Sequence, residues 1–160
     1  MRRGRRESGL TLVELLVVLG ILGVLLALFL GLNWRGAEIS RAAYDLRALV
    51  AEARQEALRR NQSVWVRYSE EELEVCLDDA TTCDERYRAL YLSSYRGELS
   101  LEGTFENDCL RWRPEGFPTA CDADTPKGGK LVLKAAGEAK RELCVSAGGA
   151  IRLENPGGCP

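Results

Sequence analysis

Two hydrophobic periodicities divide this chain. From Leu10 to Leu32 it runs through 23 residues whose only ionisable side chain is Glu14, long enough as a helix to cross a hydrocarbon core of about 30 Å. From Ala37 onward the apolar residues Ile39, Ala42, Ala43, Leu46, Leu49, Val50, Ala53, Ala57 and Leu58 recur at three- and four-residue spacing, which predicts an amphipathic helix. Arg41, Asp45, Arg47, Glu52, Arg54, Glu56 and Arg59 occupy its other face. Gly31, Asn33 and Gly36 mark a soft point between the two stretches without a proline to break them. One long helix is therefore expected, ending at Asn61 or Gln62, with an apolar stripe that needs a cover.

After Ser63 the period becomes two. Strands are predicted over Ser63–Tyr68, Glu72–Leu77, Arg88–Ser93, Glu98–Glu102, Cys109–Arg113, Lys130–Ala135, Arg141–Ser146 and Ala150–Glu154. Turn signals separate them at Asp78-Asp79, Pro114-Glu115-Gly116, Gly128-Gly129 and Gly148-Gly149. Short connections favour antiparallel pairing, so the fold class is α+β, a long helix packed on one or two small antiparallel sheets. Trp65 and Trp112 alternate with polar residues and are expected to face the core, whereas Trp34, just past the apolar run, reads as an interfacial anchor.

Charge sharpens the picture at the N-terminus. Arg2, Arg3, Arg5 and Arg6 precede the apolar run, which places that end in the cytoplasm by the positive-inside rule. No small-x-small cleavage site follows the run, so a conventional secretory signal does not fit. A carboxylate four residues into such a helix costs roughly 2.5–3.5 kcal/mol on insertion scales and marks a functional position.

Cys76, Cys83, Cys109, Cys121, Cys144 and Cys159 all follow the span. There is no C-x-x-C pair and no histidine, so zinc is not expected. Outside the cytoplasm an even cysteine count implies disulfides. Of 15 possible pairings, the sequential set Cys76–Cys83, Cys109–Cys121 and Cys144–Cys159 closes short local loops and is the expected one.

The stretch Gly9-Leu10-Thr11-Leu12-Val13-Glu14-Leu15-Leu16-Val17-Val18-Leu19 resembles the cleavage signal of type IV prepilins and type II secretion pseudopilins. The resemblance implies that prepilin peptidase cuts between Gly9 and Leu10, that the Leu10 amine is methylated, and that Glu14 pairs with the N-terminal amine of a neighbouring subunit. Leu10 departs from the usual phenylalanine. A charge pair shared between staggered helices is a register device, since neither the new amine nor Glu14 is comfortable alone in lipid. Loss of residues 1–9 leaves 18 basic and 23 acidic residues, a formal net charge of −5.

A narrower resemblance follows. Leu49-x-x-x-Ala53-Arg54-x-x-Ala57-x-x-x-Asn61-x-x-Val64, Leu110-x-Trp112-x-Pro114-x-Gly116 and Cys144 to Arg152 are similar to H-type pseudopilins and FimT-like minor pilins. Some relatives are thought to touch DNA through a G-R-x-R turn, of which Gly149-Ala150-Ile151-Arg152 keeps one arginine. A single cation is a weak phosphate anchor. Lys127, Lys130, Lys134, Lys140 and Arg141, with Arg152, are the candidate DNA contacts, against the simpler reading of a solvated strand surface.

Asp78, Asp79, Asp84 and Glu85 bracket the expected Cys76–Cys83 loop; calcium takes such oxygens, but solvated acidic loops are commoner. No histidine base, G-x-S-x-G or phosphate loop points to catalysis, and no cofactor is implied. The expected organisation is a leader at 1–9, a transmembrane assembly helix at 10–32, its amphipathic continuation at 33–62 and a disulfide-containing β-rich domain at 63–160. The resemblance implies a non-enzymatic minor pilin of a type IV or DNA-uptake pilus, with a type II secretion pseudopilin and a pilus-tip DNA-binding module as alternatives. Its implied partners are other pilins, prepilin peptidase and the inner membrane, with the C-terminal domain periplasmic and then part of a filament.

Overall fold

The computed structural model describes residues 11–77 and 82–159. Gly9, Leu10, Asp78 and Asp79 lie outside the described residues, as does the side chain of Trp34. The chain forms two compact units, divided between Gly36 and Ala37.

Helix α1 spans Leu12–Arg60. In the first unit its stretch Leu12–Phe29 has a mean hydropathy of 2.9 and none of it is buried. In the second unit Ala42, Ala43, Leu46, Leu49, Val50, Ala53 and Ala57 form a buried stripe, the three- and four-residue spacing of the sequence made solid. The helix ends where Asn61 takes a left-handed conformation (φ 55°) and the Gln62 N–H donates to the Ala57 carbonyl at 3.3 Å. That six-to-one bond satisfies a carbonyl the helix leaves open.

Among the described residues nine strands follow: β1 Val64–Tyr68, β2 Glu72–Cys76, β3 Arg86–Tyr91, β4 Leu99–Gly103, β5 Cys109–Trp112, β6 Pro118–Ala120, β7 Gly129–Ala135, β8 Glu138–Val145 and β9 Ile151–Glu154. They build two antiparallel sheets, ordered β3-β2-β1-β5-β6 and β4-β7-β8-β9. One apolar cluster joins the helix stripe to Val64, Val66, Leu73, Val75, Leu110 and Trp112 of the first sheet and to Leu101, Leu131, Leu133, Leu143 and Val145 of the second.

Several strand expectations shift. β3 begins at Arg86, and Leu92–Ser94 form a 3-10 turn in place of the expected strand end. β8 begins at Glu138, three residues ahead of the expected Arg141. β6 has no counterpart among the expected strands: it is three residues long and opens on a proline, a residue tolerated on edge strands and at a strand's first position, and β6 is an edge. Trp65 does not join the core. Val64, Val66 and Tyr68 point inward, so Trp65 stands on the outer face, half-buried opposite Cys76 and Arg111. Alternation places the two tryptophans of β1 and β5 on opposite faces because their register pairs Trp65 with Arg111 and not with Trp112.

Register also places Cys76, Cys109 and Cys144 on the sheet faces turned away from the core, opposite Trp65, Arg67 and Arg152 respectively. Cys76 and Cys109 are nonetheless buried.

Candidate assembly site

The start of α1 is capped. Thr11 precedes the first helical residue, and its Oγ1 accepts the Glu14 N–H at 3.2 Å while its carbonyl accepts the Leu15 N–H at 3.1 Å. Thr11-Leu12-Val13-Glu14 has the T-x-x-E spacing of a capping box, a local signal that the apolar pattern of the segment masks. Glu14 is thus held in the first turn, where a carboxylate also complements the helix dipole. Its side chain is exposed, on a helix whose apolar neighbours Leu12, Val13, Leu15 and Leu16 are exposed as well.

In the second unit the family-like motifs converge on one side chain. Arg54, expected on the solvent face, donates from Nε to the Gly116 carbonyl at 3.0 Å, and its guanidinium carbon lies 5.8 Å from the centre of the Trp112 ring. Trp112 is fully buried. Gly149 closes the third side: a Cβ there would meet the Gly116 carbonyl oxygen at 2.4 Å and Arg54 Nη2 at 3.1 Å. Its φ of +84° also favours glycine. Residues quoted from three separated motifs therefore make one latch between helix, β5–β6 turn and β8–β9 turn.

Glu56, also expected outside, is 5% exposed. It accepts hydrogen bonds from Arg59 Nε at 2.9 Å and from Arg60 Nε at 2.5 Å. Those bonds, Arg59's first, hold its carboxyl down to about 2. One turn earlier Glu52 takes Tyr87 Oη at 2.9 Å and Arg88 Nη1 at 2.8 Å, tying the helix to β3. Tyr95 donates to Asp45 at 2.7 Å; burial first and then that bond push its hydroxyl up. Tyr68 donates to the Phe105 carbonyl at 3.2 Å, and burial pushes it up to about 12.

The structure pairs Cys76 with Cys83, Cys109 with Cys121 and Cys144 with Cys159, at Cα separations of 5.1, 5.7 and 5.6 Å. Glu74, Cys76 and Cys83 lie close enough to share an ion, but the two sulfurs are bonded to each other and Glu74 pairs with Arg86. Of the acidic loop, Glu85 pairs with Arg60 at 3.6 Å.

The lysines do not form an open basic face. Lys127 pairs with Glu106 at 2.5 Å, Lys130 with Glu142 at 3.0 Å, Lys134 with Glu102, and Lys140 with Glu138 at 2.5 Å. Arg141 donates to Asn155, and Arg152 is exposed on β9. For Lys130 and Lys134 it is strand pairing that brings the glutamates alongside, β8 carrying Glu142 and β4 carrying Glu102. Charge neutralised within each pair offers little to a phosphate backbone.

An exposed apolar helix with a capped carboxylate at its start, continuing in sequence into an amphipathic helix that covers antiparallel sheets, defines the pilin-like class of membrane-borne filament subunits. The comparisons agree. A model of the prokaryotic N-terminal methylation motif matches residues 4–30, and the family described as type II transport protein GspH matches residues 42–149. The chain belongs to that family, and it is a minor pilin or pseudopilin of the type IV pilus and type II secretion kind.

Among curated relatives, the pilin-like protein PilA1 of Thermus thermophilus is 52% identical over 59 residues, 36% of this chain and only 38% of that protein's length. The type IV minor pilin FimU of Pseudomonas aeruginosa shares the fold with a TM-score of 0.65 at 18% identity, covering 79% of this chain and 95% of that one. The minor pseudopilin EpsH of the Vibrio cholerae type 2 secretion system does so with 0.57 at 18%, covering 75% and 98%.

Proposed function

We propose that this chain is a minor subunit of a type IV pilus, cut by prepilin peptidase between Gly9 and Leu10, methylated on the Leu10 amine, and drawn into the filament through its N-terminal helix. The observation that carries this reading is the fully exposed apolar stretch Leu12–Phe29 with Glu14 fixed in its first turn. A helix so apolar needs lipid or other helices around it, and the carboxylate gives one axial offset a preferred counter-charge. The N-terminus lies in the cytoplasm and the disulfide-bearing domain outside it, where such bridges persist.

Placement in a type II secretion pseudopilus is the second reading, favoured by the description of the matched family. Intact mass of the chain purified from membranes tests processing. Loss of residues 1–9 plus one methyl group and six fewer hydrogens on the cysteines supports it; an uncleaved leader overturns it. Cross-linking the cleaved subunit in its host then assigns the machine by which partners it captures.

A further inference from the structure

On the outer face of the four-stranded sheet the end of the chain folds back on itself. After Glu154 the Gly158 N–H donates to the Asn155 carbonyl at 2.9 Å, and the tail crosses to bring Cys159 onto Cys144. A Cβ on Gly158 would meet the Glu154 Cβ at 2.9 Å and the Asn155 oxygen at 3.0 Å, so the strap lies tight on β9. Between Glu154 and Cys159 the sequence is Asn-Pro-Gly-Gly, with no apolar side chain to bury. Something polar must hold it.

That group is Glu142, two residues before Cys144 and on the same face of β8. It is 4% exposed, and a carboxylate so placed needs partners. Lys130 from β7 donates to Oε1 at 3.0 Å. The Cys159 N–H donates to Oε2 at 3.4 Å. The other two disulfides close loops with sequence separations of 7 and 12 residues around strand turns that already bring their ends together. Cys159 lies outside any strand, beyond β9, so among the described residues no strand pairing holds it beside Cys144.

We propose that Glu142 is the positioning residue for the Cys144–Cys159 bridge: its carboxylate, fixed by Lys130, docks the strap before the bridge closes and holds the Cys159 thiol beside Cys144. Closure forms one S–S bond as the two thiols give up two protons and two electrons. A disulfide oxidant takes the electrons and is itself cleaved to two thiols; one cysteine first forms a mixed disulfide with it, and the other thiolate displaces the leaving thiol.

The test uses the full chain in detergent micelles, reduced, denatured and refolded with glutathione disulfide, with bridges mapped by peptide mass over time. Glu142→Leu is expected to slow formation of Cys144–Cys159 roughly tenfold, near the lower end of the factor for losing a hydrogen bond to a charged group, with Cys76–Cys83 and Cys109–Cys121 unaffected. Glu142→Gln, which keeps an acceptor, should fall between. Equal closure in Glu142→Leu and the parent, or equal slowing of all three bridges, overturns the proposal. A second measurement removes the bridge: in C144S/C159S the amide at 159 should stay protected from hydrogen exchange and lose that protection when Glu142→Leu is added. An unprotected amide in C144S/C159S itself overturns the proposal too.

Discussion

Arg54 and Gly116 stand 62 residues apart, and the Nε of the first donates to the carbonyl oxygen of the second at 3.0 Å. This one bond joins the helix to the turn that follows Trp112 of β5, whose ring lies under the same guanidinium. Arg54→Ala leaves the Gly116 carbonyl without this partner and uncovers the ring. We expect a loss of about 1–3 kcal/mol, read from urea unfolding followed by circular dichroism. Arg54→Lys keeps the charge but not the planar fork, and should recover less than half of the loss.

Gly149 and Gly137 separate two costs. Both have positive φ, +84° and +78°, but a Cβ at Gly137 meets open space whereas one at Gly149 strikes the Gly116 carbonyl oxygen. Gly137→Ala should cost about 1 kcal/mol for backbone strain alone. Gly149→Ala should cost at least about 1 kcal/mol more, because the displaced neighbour is backbone. Equal costs in urea unfolding would show that the two turns move apart freely.

Glu56 sets a pH dependence of known sign. Its carboxyl is held at about 2 against an ordinary 4.5, so the folded state binds its proton less readily than the unfolded chain. The stabilisation is complete above about 4.5 and fades as pH falls from there through about 2. Glu56→Gln should lose about 1–2 kcal/mol at neutral pH, discounted for the exposure of Arg59. The gap from the parent should close in acid. A gap that stays constant from neutral pH to pH 2 would mean that packing and not charge is lost.

Glu14→Ala tests assembly apart from insertion. The helix keeps its apolar length and Thr11 keeps its capping oxygen, so the variant should fractionate with membranes as the parent does. Its recovery in sheared filaments should fall sharply if Glu14 is the counter-charge that selects the axial offset. Undiminished recovery would remove Glu14 from the assembly contact.

Much of this architecture is legible in the residues alone. The buried stripe from Ala42 to Ala57 is visible because helical spacing repeats locally, and the turn-rich strands show through period two. Faces are harder. Trp65 and Trp112 look alike in sequence, and only the pairing of β1 with β5 decides that one is inside and the other out. Arg54 and Glu56 look like solvent residues because Arg54's neighbours Gly116 and Gly149 lie on distant turns, and because Arg59 and Arg60 fold back over Glu56. For Lys127, Lys130 and Lys134 the same holds: Glu106, Glu142 and Glu102, which pair with them, lie 12 to 32 residues away, beyond any local window. At the assembly end the T-x-x-E cap is open to a local reading; the neighbour's amine is not part of this chain.

All three disulfides close within their own hairpin or strap, with sequence separations of 7, 12 and 15 residues, and helix α1 carries no cysteine. A subunit in a filament under tension is pulled along that helix. The seam that resists is then the apolar stripe and the Arg54 latch, joints that can slide open and re-form without any covalent bond being broken. The bridges come into play only after that seam has parted, when they keep three loops of the chain from unreeling. Force on the domain would therefore open its non-covalent joints first, while the bridges keep each of the three loops closed.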